Sequence, residues 1–276
     1  MNRLPTYTTS YKFFYNKNIC FVSSAKLGTR FFKKLIQSDN WEFYSYPMDS
    51  KFYGLEYDNQ PYWKPDIDGY FDYVNEEVFT KTDCVSFLIR HPHDRFCSGV
   101  STLLDIYHLR FFQYGEDGVE FLRTTFPNDI SEEELKKQSL VLKKLLGEFY
   151  ETSNPEILKK IIYDYIIKET IYKDAHVEHH HGLLYPYMKR VKKCNSNIKW
   201  IDLGDLDYYI KSKYTQIDSN SEEYILSKNS SKKSLPYDVL KNNLSAWKSE
   251  NNELDLYLHI ELENYDKIRK EYEILL

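Results

Sequence analysis

No stretch of this chain approaches the roughly 20 consecutive apolar residues that a membrane-spanning helix needs, and its N-terminus carries no uninterrupted apolar segment of the secretory-leader kind. No membrane span is expected. Charge of one sign is lacking too: 37 basic residues face 42 acidic ones, a formal net of −5, so the balance advertises neither nucleic acid nor an anionic membrane as a partner. Any site for a polyanion must be local. Cysteine is scarce: Cys20, Cys84, Cys97 and Cys194 form no CxxC pair, and three of them lie in or beside apolar runs where free thiols pack. That pattern implies a reducing, cytoplasmic setting, although a luminal domain cut from its anchor has the same composition. Internal repeats and a recognisable interdomain linker are also missing, so one domain over residues 1–276 is expected.

What is there describes an ordinary globular chain, with 42% hydrophobic and 29% charged residues, long enough for a sizeable core. Aromatic residues reach 17%, 26 of them tyrosine. Tyrosines lining a sugar or phenol site and simple codon bias account for this equally well.

Three β-branched and aromatic runs read as buried strands: NICFVSS at 18–24, CVSFLIR at 84–90 and NIKWIDL at 197–203. Each precedes a plausible helix. The alternation predicts an α/β fold of three layers, α/β/α, around a central, mainly parallel sheet, with a helix-rich second half. Residues 39–83, rich in Tyr, Asp, Pro and Gly, read as irregular loop with room for one short strand, a substrate-side insertion. From about 95 to 192 apolar residues recur at helical spacing, and Ser131 with Glu134 makes a capping-box signature. Two helices, near 236–249 and 252–275, close the chain.

The first strand runs into Ser23-Ser24-Ala25-Lys26-Leu27-Gly28-Thr29 and then an amphipathic segment. Such a turn has the parts of an anion cradle: backbone N–H groups at a helix start, a glycine that permits close approach, and a lysine charge. A glycine-containing turn with a surface lysine is the plain alternative. It is not the GxxxxGK[ST] loop of NTPases, because Lys26 precedes Gly28, which disfavours a nucleotide kinase.

The second strand ends in SFLIRHPHDRFCSGV. Arg90 leaves its carboxyl end, Pro92 suits a helix start, and Ser98 follows within the helix. Arg90 and Ser98 can converge on one phosphate at the carboxyl edge of the sheet, where open α/β sheets bind ligands. The competing reading pairs Arg90 and Arg95 with Asp94 or another carboxylate as a structural cluster.

Together, SSAKLGTRFFKKL and FLIRHPHDRFCSGV resemble the two signatures of sulfotransferases that use 3′-phosphoadenosine 5′-phosphosulfate (PAPS), nearest the carbohydrate-modifying branch. The first resembles the 5′-phosphosulfate loop, the second the 3′-phosphate motif of an Arg and a downstream Ser. Arg30 departs from the hydroxyl residue usual there, and His91 stands where an Asp is common. Weaker echoes run through DAHVEHHHGLLY, KWIDLGDLDYYI, LSKNSSKKSLP and the C-terminal helix, so the likeness extends over roughly residues 18–275.

The resemblance implies a P-loop-like sulfotransferase fold and a sulfuryl transfer from PAPS to a hydroxyl or amine of a small molecule or glycan, leaving 3′-phosphoadenosine 5′-phosphate (PAP) and needing no metal. It implies that Ser24, Lys26, Leu27, Gly28, Thr29 and Arg30 hold the 5′-phosphosulfate. Arg90 and Ser98 would hold the 3′-phosphate, with Lys228 and Ser230 in a loop over the nucleotide. Lys26 would stabilise charge on the leaving oxygen. For the general base, Asp66, Asp68 and His176 are the candidates; a histidine suits neutral pH without the pKa shift a carboxylate needs. The histidines of HVEHHH lack the HExxH spacing of zinc enzymes and read as a solvated or substrate-facing patch. A non-catalytic relative that binds PAP or glycan remains the alternative outside the enzymes.

Overall fold

The structure, a computed structural model, describes residues 11–15, 19–23, 42–46, 79–80, 82–119, 122, 130–167, 177, 180–206, 208–209 and 234–274. Among the described residues six strands form one sheet: β1 (Tyr11–Tyr15), β2 (Ile19–Ser23), β3 (Glu42–Tyr46), β4 (Cys84–Ile89), β5 (Ile198–Asp202) and β6 (Glu273–Ile274), in the spatial order β3-β1-β2-β4-β5-β6. The neighbours β2, β4, β5 and β6 run parallel, while β1 pairs antiparallel with β2 and β3. The fold is therefore α/β around a four-strand parallel array. The three expected strands are present to within a residue at each end, and β3 occupies the place left for a short strand in the long insertion.

Why these runs pair in parallel follows from their burial. Every residue of β2 and β4 is buried, as a strand covered on both faces requires. On one face Cys20, Val22, Val85, Phe87, Ile89, Ile198 and Trp200 form a core with Leu184, Met188 and Val191 of α4 (His180–Cys194) and with Ile268 of α6 (Asn252–Glu271). On the other face Phe21, Leu88 and Ile201 are buried, and the Tyr209 ring meets Phe21 edge-on at 5.9 Å. Burying each large side chain contributes about 1.5–3 kcal/mol.

The described helices that complete the set are α1 (Pro92–Phe112), α2 (Glu132–Thr152), α3 (Pro155–Ile161) and α5 (Leu235–Glu250). In α2, Leu135, Ser139, Leu142, Leu146 and Phe149 are buried at alternating steps of four and three, one stripe of an amphipathic helix. Ser131 caps it by accepting from the Glu134 N–H at 3.2 Å, while the Glu134 carboxylate accepts from Gln138 at 2.6 Å. Ser153 ends α2 in the left-handed region at φ 56°, and Asn154 with Pro155 starts α3 at once. A π-helical segment, Ile162–Ile167, then replaces the regular helix expected there. The last helix stops at Glu271 rather than continuing to 275, because Glu273 and Ile274 join the sheet beside β5.

Two compact units share the chain: one takes residues 1–8, 92–180 and 229–261, the other 9–91, 181–228 and 262–276. The first has a helical core that includes Phe96, Leu104, Leu146, Ile161, Leu244 and Leu258; the second has the sheet core described above. Among the described residues no helix is long and apolar enough to cross a membrane. Cys20, Cys84 and Cys97 are buried thiols outside any disulfide, and burial, chiefly, pushes the Cys20 thiol well above its ordinary pKa.

Candidate functional site

Three parallel strands end level with one another. Val22 of β2 lies opposite Phe87 of β4, and Ile89 of β4 lies opposite Asp202 of β5, so the chain leaves β2, β4 and β5 at the same edge of the sheet. Arg90 follows β4 directly and is half-buried. The preceding carbonyl, of Ile89, accepts from the Leu203 N–H at 2.8 Å, which holds the end of β4 to the turn after β5.

That turn is organised by Asp202. One carboxylate oxygen accepts from the Gly204 N–H at 2.9 Å, the other from the Tyr265 hydroxyl at 2.8 Å. Burial and then the bond to Asp202 push the Tyr265 phenol above its ordinary range. The Tyr265 ring also meets the rings of His91 and His181 edge-on, at 5.7 and 5.3 Å, and the Arg269 guanidinium lies 5.4 Å from its centroid.

Ser98 lies in the second turn of α1 and is buried, and its hydroxyl has no hydrogen-bond partner among the described residues. The hydroxyls of Ser86 and Ser101 share that condition. An unsatisfied buried hydroxyl costs about 1–3 kcal/mol, so each calls for a reason. Asp94, weighed above as the carboxylate for the arginines, pairs with Lys241 of α5 at 3.5 Å and raises that ammonium's pKa. Arg95, in the first turn of α1, is among the largest fully buried side chains of the described residues.

The other expected site residues, Ser24, Lys26, Leu27, Gly28, Thr29, Arg30, Asp66, Asp68, His176, Lys228 and Ser230, lie outside the described residues. Of the two readings of the histidine run, solvated or substrate-facing, the first is corrected at two positions: His180 and His181 are fully buried at the start of α4, where Tyr265 packs against the His181 ring. Among the described residues no group of three or more His, Cys, Asp or Glu side chains is placed to hold a metal ion.

Tyr265 and Asp202 were missed by sequence reasoning. The acidic end of KWIDL was a signal, but its partner lies 63 residues further on. Comparison with protein-family models, with curated proteins and with solved structures finds no match to this chain.

Proposed function

We propose that this protein is a PAPS-dependent sulfotransferase with a P-loop-like three-layer fold, acting on a hydroxyl or amine of a small molecule or glycan. The observation that carries the reading is the pairing of β2 and β4 as parallel neighbours. The two anion signatures follow these two strands, so both depart from one sheet edge, where α/β folds bind nucleotides. The buried, unsatisfied hydroxyl of Ser98 supports it further, since a phosphate oxygen is the acceptor such a group lacks.

In this reading Arg90 supplies a planar fork of donors to the 3′-phosphate and Ser98 adds a hydroxyl donor. The segment from Ser24 to Arg30, with Lys26, takes the 5′-phosphosulfate. Transfer forms a bond between the acceptor oxygen or nitrogen and sulfur as the bond from sulfur to the bridging phosphate oxygen breaks. The acceptor's proton passes to a base, for which Asp66, Asp68 and His176 stand, and PAP departs. Lys26 stabilises the charge that collects on the phosphate oxygen, while positioning supplies much of the remaining rate. Lys228 and Ser230 would cover the nucleotide.

Calorimetry with PAP tests the reading. The wild type is expected to bind PAP and to bind 5′-AMP much more weakly. Arg90→Ala should lose PAP affinity by roughly 10- to 100-fold, the worth of a hydrogen bond to a charged group. Equal affinity for the two nucleotides overturns the 3′-phosphate assignment. A screen of glycans, phenols and peptides with labelled PAPS then separates an enzyme from a binding protein.

A further inference from the structure

We infer that Tyr265 is a positioning residue that holds Arg90 in the geometry needed for the 3′-phosphate, an inference that rests on the donor reading above. Arg90 is bracketed. Its predecessor, Ile89, gives its carbonyl to the Leu203 N–H at 2.8 Å, and its successor, His91, lays its ring against Tyr265 at 5.7 Å. Both anchors return to the same carboxylate: Leu203 adjoins Asp202, and Asp202 accepts the Tyr265 hydroxyl at 2.8 Å. Ile89, Leu203, Asp202, Tyr265 and His91 therefore close a ring of contacts through which the chain passes at Arg90.

The members of the ring are themselves braced. Gly204 satisfies the second oxygen of Asp202. His181 packs edge-on against Tyr265, and Arg269 lies over both Tyr265 and Trp200. The Tyr265 side chain is thus fixed at its hydroxyl and around its ring. A guanidinium fork discriminates by geometry, so a loosened backbone at residue 90 removes selectivity for the phosphate before it removes binding of the rest of the nucleotide. Nothing in this role requires Tyr265 to touch the ligand.

The test compares PAP with 5′-AMP affinity for the wild type, Tyr265→Phe, Asp202→Leu and Asp202→Asn, with thermal midpoints taken on the same samples. Tyr265→Phe keeps the ring and loses only the hydroxyl. Its ratio of PAP to 5′-AMP affinity should fall about tenfold or more, and Asp202→Leu should behave alike. Asp202→Asn keeps a polar partner for the Tyr265 hydroxyl and should retain most of the ratio. A packing role alone lowers the midpoint, or weakens both nucleotides equally, and leaves the ratio intact; that result overturns the inference. A wild type that does not discriminate between the nucleotides overturns the donor reading and this inference with it, which distinguishes the two failures.

Discussion

Replacing Ser98 by alanine should make the ligand-free protein more stable and the nucleotide complex weaker. The hydroxyl is buried without a partner among the described residues, so deleting it removes a desolvation cost of about 1–3 kcal/mol at almost no change in shape. For a chain of this size that corresponds to a rise of roughly 2–6 °C in the unfolding midpoint. In the complex the same hydroxyl would donate to a charged oxygen, a bond worth about 1.5–3 kcal/mol, and its loss weakens PAP by roughly 10- to 100-fold. At a PAP concentration of about 100 times the wild-type Kd, the nucleotide stabilises the wild type by about 2.7 kcal/mol and the variant by only about 0.4–1.4 kcal/mol. Differential scanning fluorimetry with and without PAP reads both numbers on one plate. A variant less stable than the wild type without nucleotide shows that the hydroxyl has a partner within the protein. A variant that keeps the whole nucleotide shift shows that Ser98 does not touch the phosphate. Either outcome refutes the reasoning.

Asn195→Ala should cost about 1–3 kcal/mol in denaturant unfolding, because the amide donates to the Phe79 and Thr82 carbonyls at 2.9 and 2.8 Å and accepts from the Asn197 N–H at 2.9 Å. An unchanged midpoint would mean that the turn before β4 does not depend on it. Alkaline pH should destabilise the fold. Burial raises the Tyr165 and Tyr272 phenols from 10.0 to about 12, and it raises Tyr150 and Tyr265 beyond that range with help from their bonds to Asp105 and Asp202. The folded state then keeps protons that the unfolded state loses above pH 10, so this contribution is complete below pH 10 and fades as pH rises through the folded values. Urea midpoints that stay level between pH 9.5 and 11.5 would contradict it.

How far the structure was legible in the sequence depended on how local each signal was. The three buried parallel strands announced themselves because burial on both faces leaves no polar alternation, and Ser131 announced a helix start because its cap is made three residues away. The strand YKFFY did not, since an antiparallel strand lying between β2 and β3 depends on partners at Cys20–Ser23 and Glu42–Tyr46 that only the fold supplies. The π-helical turn at Ile162–Ile167 follows a run whose apolar spacing is equally good for an α-helix. Within the site, Arg90 and Ser98 were legible through motif spacing, whereas the Asp202–Tyr265 pair joins two elements distant in sequence. The burial of His180 and His181 was hidden for the same reason: a polar-looking run says nothing about what packs over it.

The division of the chain between its two cores constrains when the protein can fold during synthesis. The helical core needs Leu254 and Leu258, and the sheet core needs Ile268 and Tyr272, although each also draws on residues made much earlier: Phe96 for the first, Cys20 for the second. A ribosome that has translated as far as residue 228 has released neither unit in finished form. Domains normally fold as whole units as they emerge, so on this chain the apolar strands β2 and β4 must wait, unshielded by their last helix, until residues 262–276 have been made. The nascent chain should therefore depend on holding factors until Leu258 and Tyr272 have emerged, and a stop codon placed before residue 254 should leave two incomplete cores rather than one intact unit.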